Sequence, residues 1–192
     1  LLNNGRGLGL LSARVLERNA AEPGFAPRET LQNVASLLGL ENVVALHPPA
    51  DEPTGHLSVV ACFLAPDLIV VGRDGARADA ATADHLDGLA RELAGAPTLV
   101  GPLRVARIPQ PDHRDGVWRS YTEIVFANGV VLVPVYPDHC PDLDAEALAV
   151  YRRLLPDRRI EPIDASALAR RGGGLHRVTV NVPASRGLGD GP

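Results

Sequence analysis

Three stretches of the chain gather the residue types that proton transfer and cation binding require. DEPTGHLS (residues 51–58) brings Asp51, Glu52 and His56 close together, RSYTEIVFANG (119–129) carries Glu123, and RRGGGLHRVTV (170–180) sets His176 and Arg177 after a glycine triplet. Carboxylates beside a histidine are the equipment of general acid–base catalysis, and carboxylates also grip planar cations by bidentate hydrogen bonds. Each stretch has a plainer reading. An acidic pair before a strand is usually a solvated turn, and a lone His at a strand entrance is more often structural. The glycines 172–174 could end a helix, or join Arg170 and Arg171 in a small nucleic-acid patch without the aromatic interleaving such sites use. NGRGLG at 4–9 lacks the strand and helix opening of a phosphate-cradling loop.

The cysteines offer no clear nucleophile. Cys62 lies in an apolar strand-like run, where a buried thiol is expected, and Cys140 lies in the turn PDHCPD. They show no CxxC spacing, so neither a zinc site nor a disulfide framework is indicated, and no metal or cofactor is expected.

Hydrophobic periodicity supplies the elements that must position these residues. An apolar stretch runs near 8–16. Residues 28–38 place Leu31, Val34, Ala35 and Leu38 at helical spacing with Gly39 as the stop, and 42–46 read as a buried strand. Runs at 57–64 and 68–72 around a Pro-Asp turn predict a hairpin, followed by a helix over 82–94 and a strand over 103–109. The order then recurs. Residues 121–127 and 130–136 flank Asn128-Gly129, the strongest short hairpin signal, before a helix at 143–155 and a strand at 159–163. A last strand is expected at 175–182 and a disordered tail at 185–192. Two strand–strand–helix–strand units and a partial one point to a modular α/β fold packed around a centre.

The three polar stretches, in this order and spacing, resemble the agmatine deiminase family and its bacterial peptidylarginine deiminase relatives, penteins that modify guanidino groups. NGRG (4–7), NVVAL (42–46), Gly55-His56, Ser120-Tyr121, ANG (127–129), LLPDRR (154–159), the glycine triplet, His176, Thr179 and Pro183 carry the likeness. The resemblance implies a pentein-type α/β propeller of five ββαβ blades, of which about three are present, with residues 1–184 as a partial domain. The N-terminal blades, and a Trp-x-Arg-Asp segment supplying a guanidinium-gripping carboxylate, would be missing. The family's chemistry needs a Cys thiolate to attack the guanidinium carbon, a His to shuttle protons, and carboxylates to hold the cation.

Carried over residue by residue, the family's catalytic His is His56, and an acidic residue four places earlier, usually Asp, is Glu52. The Asp two places after His56 is Ser58, and the nucleophilic Cys is Arg177. Asp51, Glu123, Gly173 and Gly174 fall at substrate-binding positions, Glu123 where the family usually has Asn. Arg177 is permanently protonated and has no lone pair, which removes the covalent step and places a cation in a cation-binding pocket. It is therefore expected to fill the guanidinium subsite itself and to pair with Glu52, Glu123 being an equally placed partner.

Net charge of −4 and scattered arginines argue against nucleic acid, and no apolar run is long enough to span a membrane. A soluble cytoplasmic protein with a small guanidino partner such as agmatine is expected. Homo-oligomerisation would cover exposed sheet edges. Without a Met, and with Arg as every one of its 19 basic residues, the chain reads as a truncated product of a GC-rich sequence. Three functions stay open: agmatine hydrolysis to N-carbamoylputrescine and ammonia in putrescine biosynthesis, a non-catalytic pentein binding a guanidino ligand or protein, and a decaying fragment.

Overall fold

The computed structural model describes residues 1–23, 25–74 and 80–182. Three copies of one arrangement follow each other. In the first, β1 (Leu2–Asn3) pairs antiparallel with β2 (Leu8–Ser12). The chain then passes through α1 (Ala13–Asn19) and α2 (Pro27–Leu38), and β3 (Asn42–Leu46) returns parallel to β2. In the second, β4 (Ala61–Ala65) and β5 (Leu68–Asp74) form the hairpin and α3 (Ala80–Leu93) the crossover. The two-residue strands β6 (Pro97–Thr98) and β7 (Gly101–Pro102) pair with each other before β8 (Arg104–Gln110) runs parallel to β5. The third has β9 (Val125–Ala127), β10 (Val130–Val135), α4 (Pro141–Leu154) and β11 (Arg159–Asp164) in the same relation. Each unit is a three-stranded ββαβ sheet whose central strand is its second. The chain is therefore of mixed α/β class.

Central strands are covered on both faces, which explains their continuous apolar runs. On β5, Ile69 and Val71 enter a cluster with Leu8, Leu10, Leu46 and Leu86, which joins the first two units. Val70, on the opposite face, enters a second cluster with Ile108, Tyr121, Val131 and Tyr151, which joins the second and third. One strand thus ties three layers of sequence together.

Most expected elements form within a residue or two of their periodicity. Gly39 ends α2 in the left-handed region at φ 63°, and Asn128 takes φ 53° in the hairpin turn. Three expectations are corrected. Leu57–Val59 is a 3-10 turn, so the strand starts at Ala61. The strand expected over 121–127 contracts to Val125–Ala127, because side chains intercept its backbone: Tyr151 Oη donates to the Tyr121 carbonyl (2.7 Å), and Tyr136 Oη bonds both backbone groups of Ser120 (2.9 Å each). The strand expected at 175–182 is a 3-10 turn, Leu175–Val178, followed by extended chain with Val178, Val180 and Val182 exposed. The domain boundary at 184 and the tail at 185–192 lie outside the described residues.

Candidate functional site

The loop entering the first 3-10 turn is built around a buried carboxylate. Glu52 is 1% exposed. Its Oε1 accepts from the Thr54 amide (3.1 Å) and hydroxyl (2.6 Å), and its Oε2 from the amides of Gly55 (2.5 Å) and His56 (3.2 Å). A carboxylate folded over its own turn in this way has its acceptor sites filled, and it replaces the water it lost on burial. Gly55 adopts φ 72°, and a Cβ there would press on Arg14 at 3.0 Å. Arg14, from α1, donates to the carbonyls of Glu52 (2.5 Å), Pro49 (2.9 Å) and Ala50 (2.9 Å). It pins the loop from outside.

The segment 119–124 supplies the facing wall. Gln110 Nε2 donates to the Arg119 carbonyl (2.6 Å) and the Thr122 hydroxyl to the Ser58 carbonyl (2.6 Å). With the tyrosine bonds above, these fix the irregular backbone that aims Glu123 inward. The Glu123 side chain is only 3% exposed. Its Oε1 accepts from the Ser58 hydroxyl at 3.1 Å and from Arg177 Nε at 2.8 Å. Gly174 lies so close that a Cβ there would coincide with the Glu123 carboxylate. That glycine is a spatial requirement of the site.

Arg177 points inward with its side chain 22% exposed. Besides Glu123 it donates from one terminal nitrogen to the Gly172 carbonyl (3.1 Å) and, at the edge of hydrogen-bond range, to the Thr54 hydroxyl (3.5 Å). The structure thus decides between the two carboxylates expected to receive it. The partner is Glu123, and Glu52 is linked to Arg177 only through Thr54, because its own oxygens are already filled.

Glu52, Ser58, Glu123, Gly172 to Gly174 and Arg177 therefore converge. His56 does not join them. Its ring is exposed and has no hydrogen-bond partner among the described residues. Asp51 also lies outside, bonded to His113 Nε2 at 2.6 Å, while the His113 ring stacks on Trp118 at 3.9 Å. Beside the cluster, a cavity of about 220 Å³ is lined by Ser58, Cys62, Phe63, Thr122, Ile124 and His176, among others.

Neither thiol is chemically poised. Burial pushes Cys62 up to about 12, against a weak opposing contact with Tyr151 Oη at 3.7 Å. Cys140, half-buried at the start of α4, is also raised, again chiefly by burial. A thiol held protonated is a poor nucleophile. Among the described residues no group of three or more His, Cys, Asp or Glu could hold a metal ion, and no helix is long and apolar enough to cross a membrane.

Arg14, Thr54, Gln110, Tyr136 and Tyr151 position the site without having been singled out in the sequence. Thr54 lay inside a recognised stretch; the others carry no local signal.

The model of the Porphyromonas-type peptidyl-arginine deiminase family matches residues 1–183. The chain belongs to this family. A provisionally named agmatine deiminase of Streptomyces avermitilis is 27% identical over 194 residues, covering 94% of this chain and 55% of that protein. The structure of a provisionally named arginine deiminase of Porphyromonas gingivalis superposes with a TM-score of 0.81 at 30% identity, covering 95% of this chain and 55% of its own. An Enterococcus faecalis agmatine deiminase shares the fold at a TM-score of 0.77 and 21% identity, covering 91% and 53%. The chain spans about half the length of the family members it matches.

Proposed function

We propose that this family member retains a guanidinium-binding site but has lost the covalent half of deimination, so that it does not hydrolyse agmatine or peptidyl-arginine. In the reaction the resemblance implies, a thiolate adds to the guanidinium carbon, ammonia leaves, and water cleaves the resulting amidino-thioether. The observation that carries the reading is that Arg177, which the resemblance aligns with the nucleophile, donates at 2.8 Å to a carboxylate that is 3% exposed. A guanidinium offers no electron pair for attack, and neither cysteine stands in for the thiolate. Ser58 adds a hydroxyl where a second carboxylate belongs, which weakens cation binding further.

The three ββαβ units are read here as three blades of a five-bladed pentein propeller, a reading supported by their common strand order and by the half-length coverage of relatives. The ancestral activity in this view is conversion of agmatine to N-carbamoylputrescine and ammonia, serving putrescine synthesis. Two free thiols, Cys62 and Cys140, suit a reducing cytoplasmic setting.

The test is production of N-carbamoylputrescine from agmatine by the unaltered chain and by the Arg177→Cys, Ser58→Asp double variant. The unaltered chain should form none, and any turnover should be confined to the double variant. Product from the unaltered chain that disappears on His56→Ala would overturn the proposal.

A further inference from the structure

Asn-Gly occurs twice in the sequence, at Asn4-Gly5 and at Asn128-Gly129. Such a pair carries a reaction of its own: the glycine amide nitrogen can attack the asparagine Cγ, and no Cβ on the glycine obstructs the approach. The fold treats the two pairs in opposite ways.

Asn4 is 6% exposed and its carboxamide is fully engaged. Its Nδ2 donates to the Pro66 carbonyl (2.7 Å), and its Oδ1 accepts from the amides of Arg6 (2.9 Å) and Leu8 (3.0 Å). The nitrogen that would attack is held as well, since the Gly5 amide donates to Asn3 Oδ1 at 3.0 Å. Asn128 and Gly129, in contrast, form the exposed two-residue turn between β9 and β10. A Cβ built on Gly129 would meet nothing within 4 Å, and neither the Asn128 carboxamide nor the Gly129 amide has a hydrogen-bond partner among the described residues. The deciding contact is made by Arg158, whose Nη1 donates to the Asn128 carbonyl oxygen. When the Gly129 nitrogen gives up its proton to attack, the negative charge it gains is shared through the peptide bond with that same oxygen. A guanidinium already bonded there stabilises the charge as it develops.

We propose that Asn128 is a site of self-modification, at which Arg158 promotes closure of a succinimide. The Gly129 nitrogen loses its proton and bonds to Asn128 Cγ; the Cγ–Nδ2 bond breaks, and Nδ2 leaves as ammonia with that proton. Water then opens the imide on one side or the other, giving an aspartyl or an isoaspartyl residue. Either product sets a carboxylate beside Arg158. The isoaspartyl product also adds a backbone carbon to a two-residue turn, which disturbs the pairing of Val130 with Ala127 and hence the register of β9. The plain alternative is that Arg158 only fastens the turn. Its removal would then loosen the hairpin and speed the reaction, so the two readings differ in sign.

Peptide mapping by mass spectrometry, on chain incubated in mildly alkaline buffer, reads conversion at both asparagines. In the folded chain Asn128 should convert and Asn4 should not. Arg158→Gln should slow conversion at Asn128 several-fold, and Arg158→Lys, which keeps a charged donor, should slow it less. In concentrated urea the two asparagines should convert alike, and Arg158→Gln should change neither. An Asn128 that stays intact in the folded chain, an Asn4 that converts as fast, or an Arg158→Gln chain that reacts at the same rate or faster would overturn the proposal, as would an Arg158→Gln effect that persists in urea.

Discussion

At the residue scale, the Glu123–Arg177 pair is asymmetric, and the asymmetry is measurable. Removing Arg177 strands a carboxylate that is 3% exposed, whereas removing Glu123 leaves an arginine that is 22% exposed and can turn to water. Breaking a buried pair from the side that leaves the deeper charge is the more damaging change. Arg177→Ala should therefore lower stability by about 3 kcal/mol and Glu123→Gln by about 1 kcal/mol, read from urea midpoints; the reverse order would contradict the burial assigned to the two groups. Cys62, with its thiol pushed up to about 12 by burial, should resist iodoacetamide at pH 8 until the chain is unfolded. Rapid labelling of native protein at Cys62 would show that the thiol is reached by solvent. The residue types at this site were legible in the sequence: Glu52, Ser58, Glu123 and Arg177 all stood out there. Their partners were less so. Glu52 fills its acceptors with the amides of Gly55 and His56, a local fold of the loop that residue types do not announce, and this sends Arg177 to Glu123.

At the scale of elements, the site depends on two segments that are neither helix nor strand. The strand expected over 121–127 begins only at Val125, because Tyr136, Tyr151 and Gln110 capture backbone groups a ladder would use. Tyr136 follows β10, Tyr151 lies on α4 and Gln110 ends β8, so no local pattern foretells these bonds. The helices and paired strands depend on their own periodicity and were legible for that reason. Gly174→Ala should cost roughly 1–3 kcal/mol by overpacking against Glu123 and displace Arg177, visible as a lower urea midpoint. An unchanged midpoint would mean that the 172–178 segment does not pack as described. Beside this wall, Arg119 holds Asp115 through two bonds of 3.0 and 2.7 Å, and its guanidinium lowers that carboxyl to about 2. A depressed folded value stabilises the folded chain above the ordinary carboxylate range, and the contribution is lost as pH falls towards about 2. Asp115→Asn should consequently flatten the acid limb of the stability–pH curve, and an identical limb in the variant would count against the pairing.

At the scale of the molecule, the three ββαβ sheets share strand order and share cores, with β5 feeding one cluster through Ile69 and Val71 and the next through Val70. Such sharing makes adjacent units cooperative: Val70→Ala should weaken both the second and the third, by about 2 kcal/mol, in a single denaturation transition. Two separate transitions would indicate units that fold independently. Repetition of the strand–strand–helix–strand order was visible in the sequence for the second and third units, while the first read only as partial, because it opens on a two-residue strand too short to carry a period. Family and fold class are the setting of the proposal made above, a deiminase-derived pocket in which Arg177 takes the place of the nucleophile. Ammonia release from agmatine under single-turnover conditions, with the chain in excess, tests it most directly. The account predicts no release above the protein-free rate. Stoichiometric ammonia, appearing with the unaltered chain and abolished by His56→Ala, would contradict it.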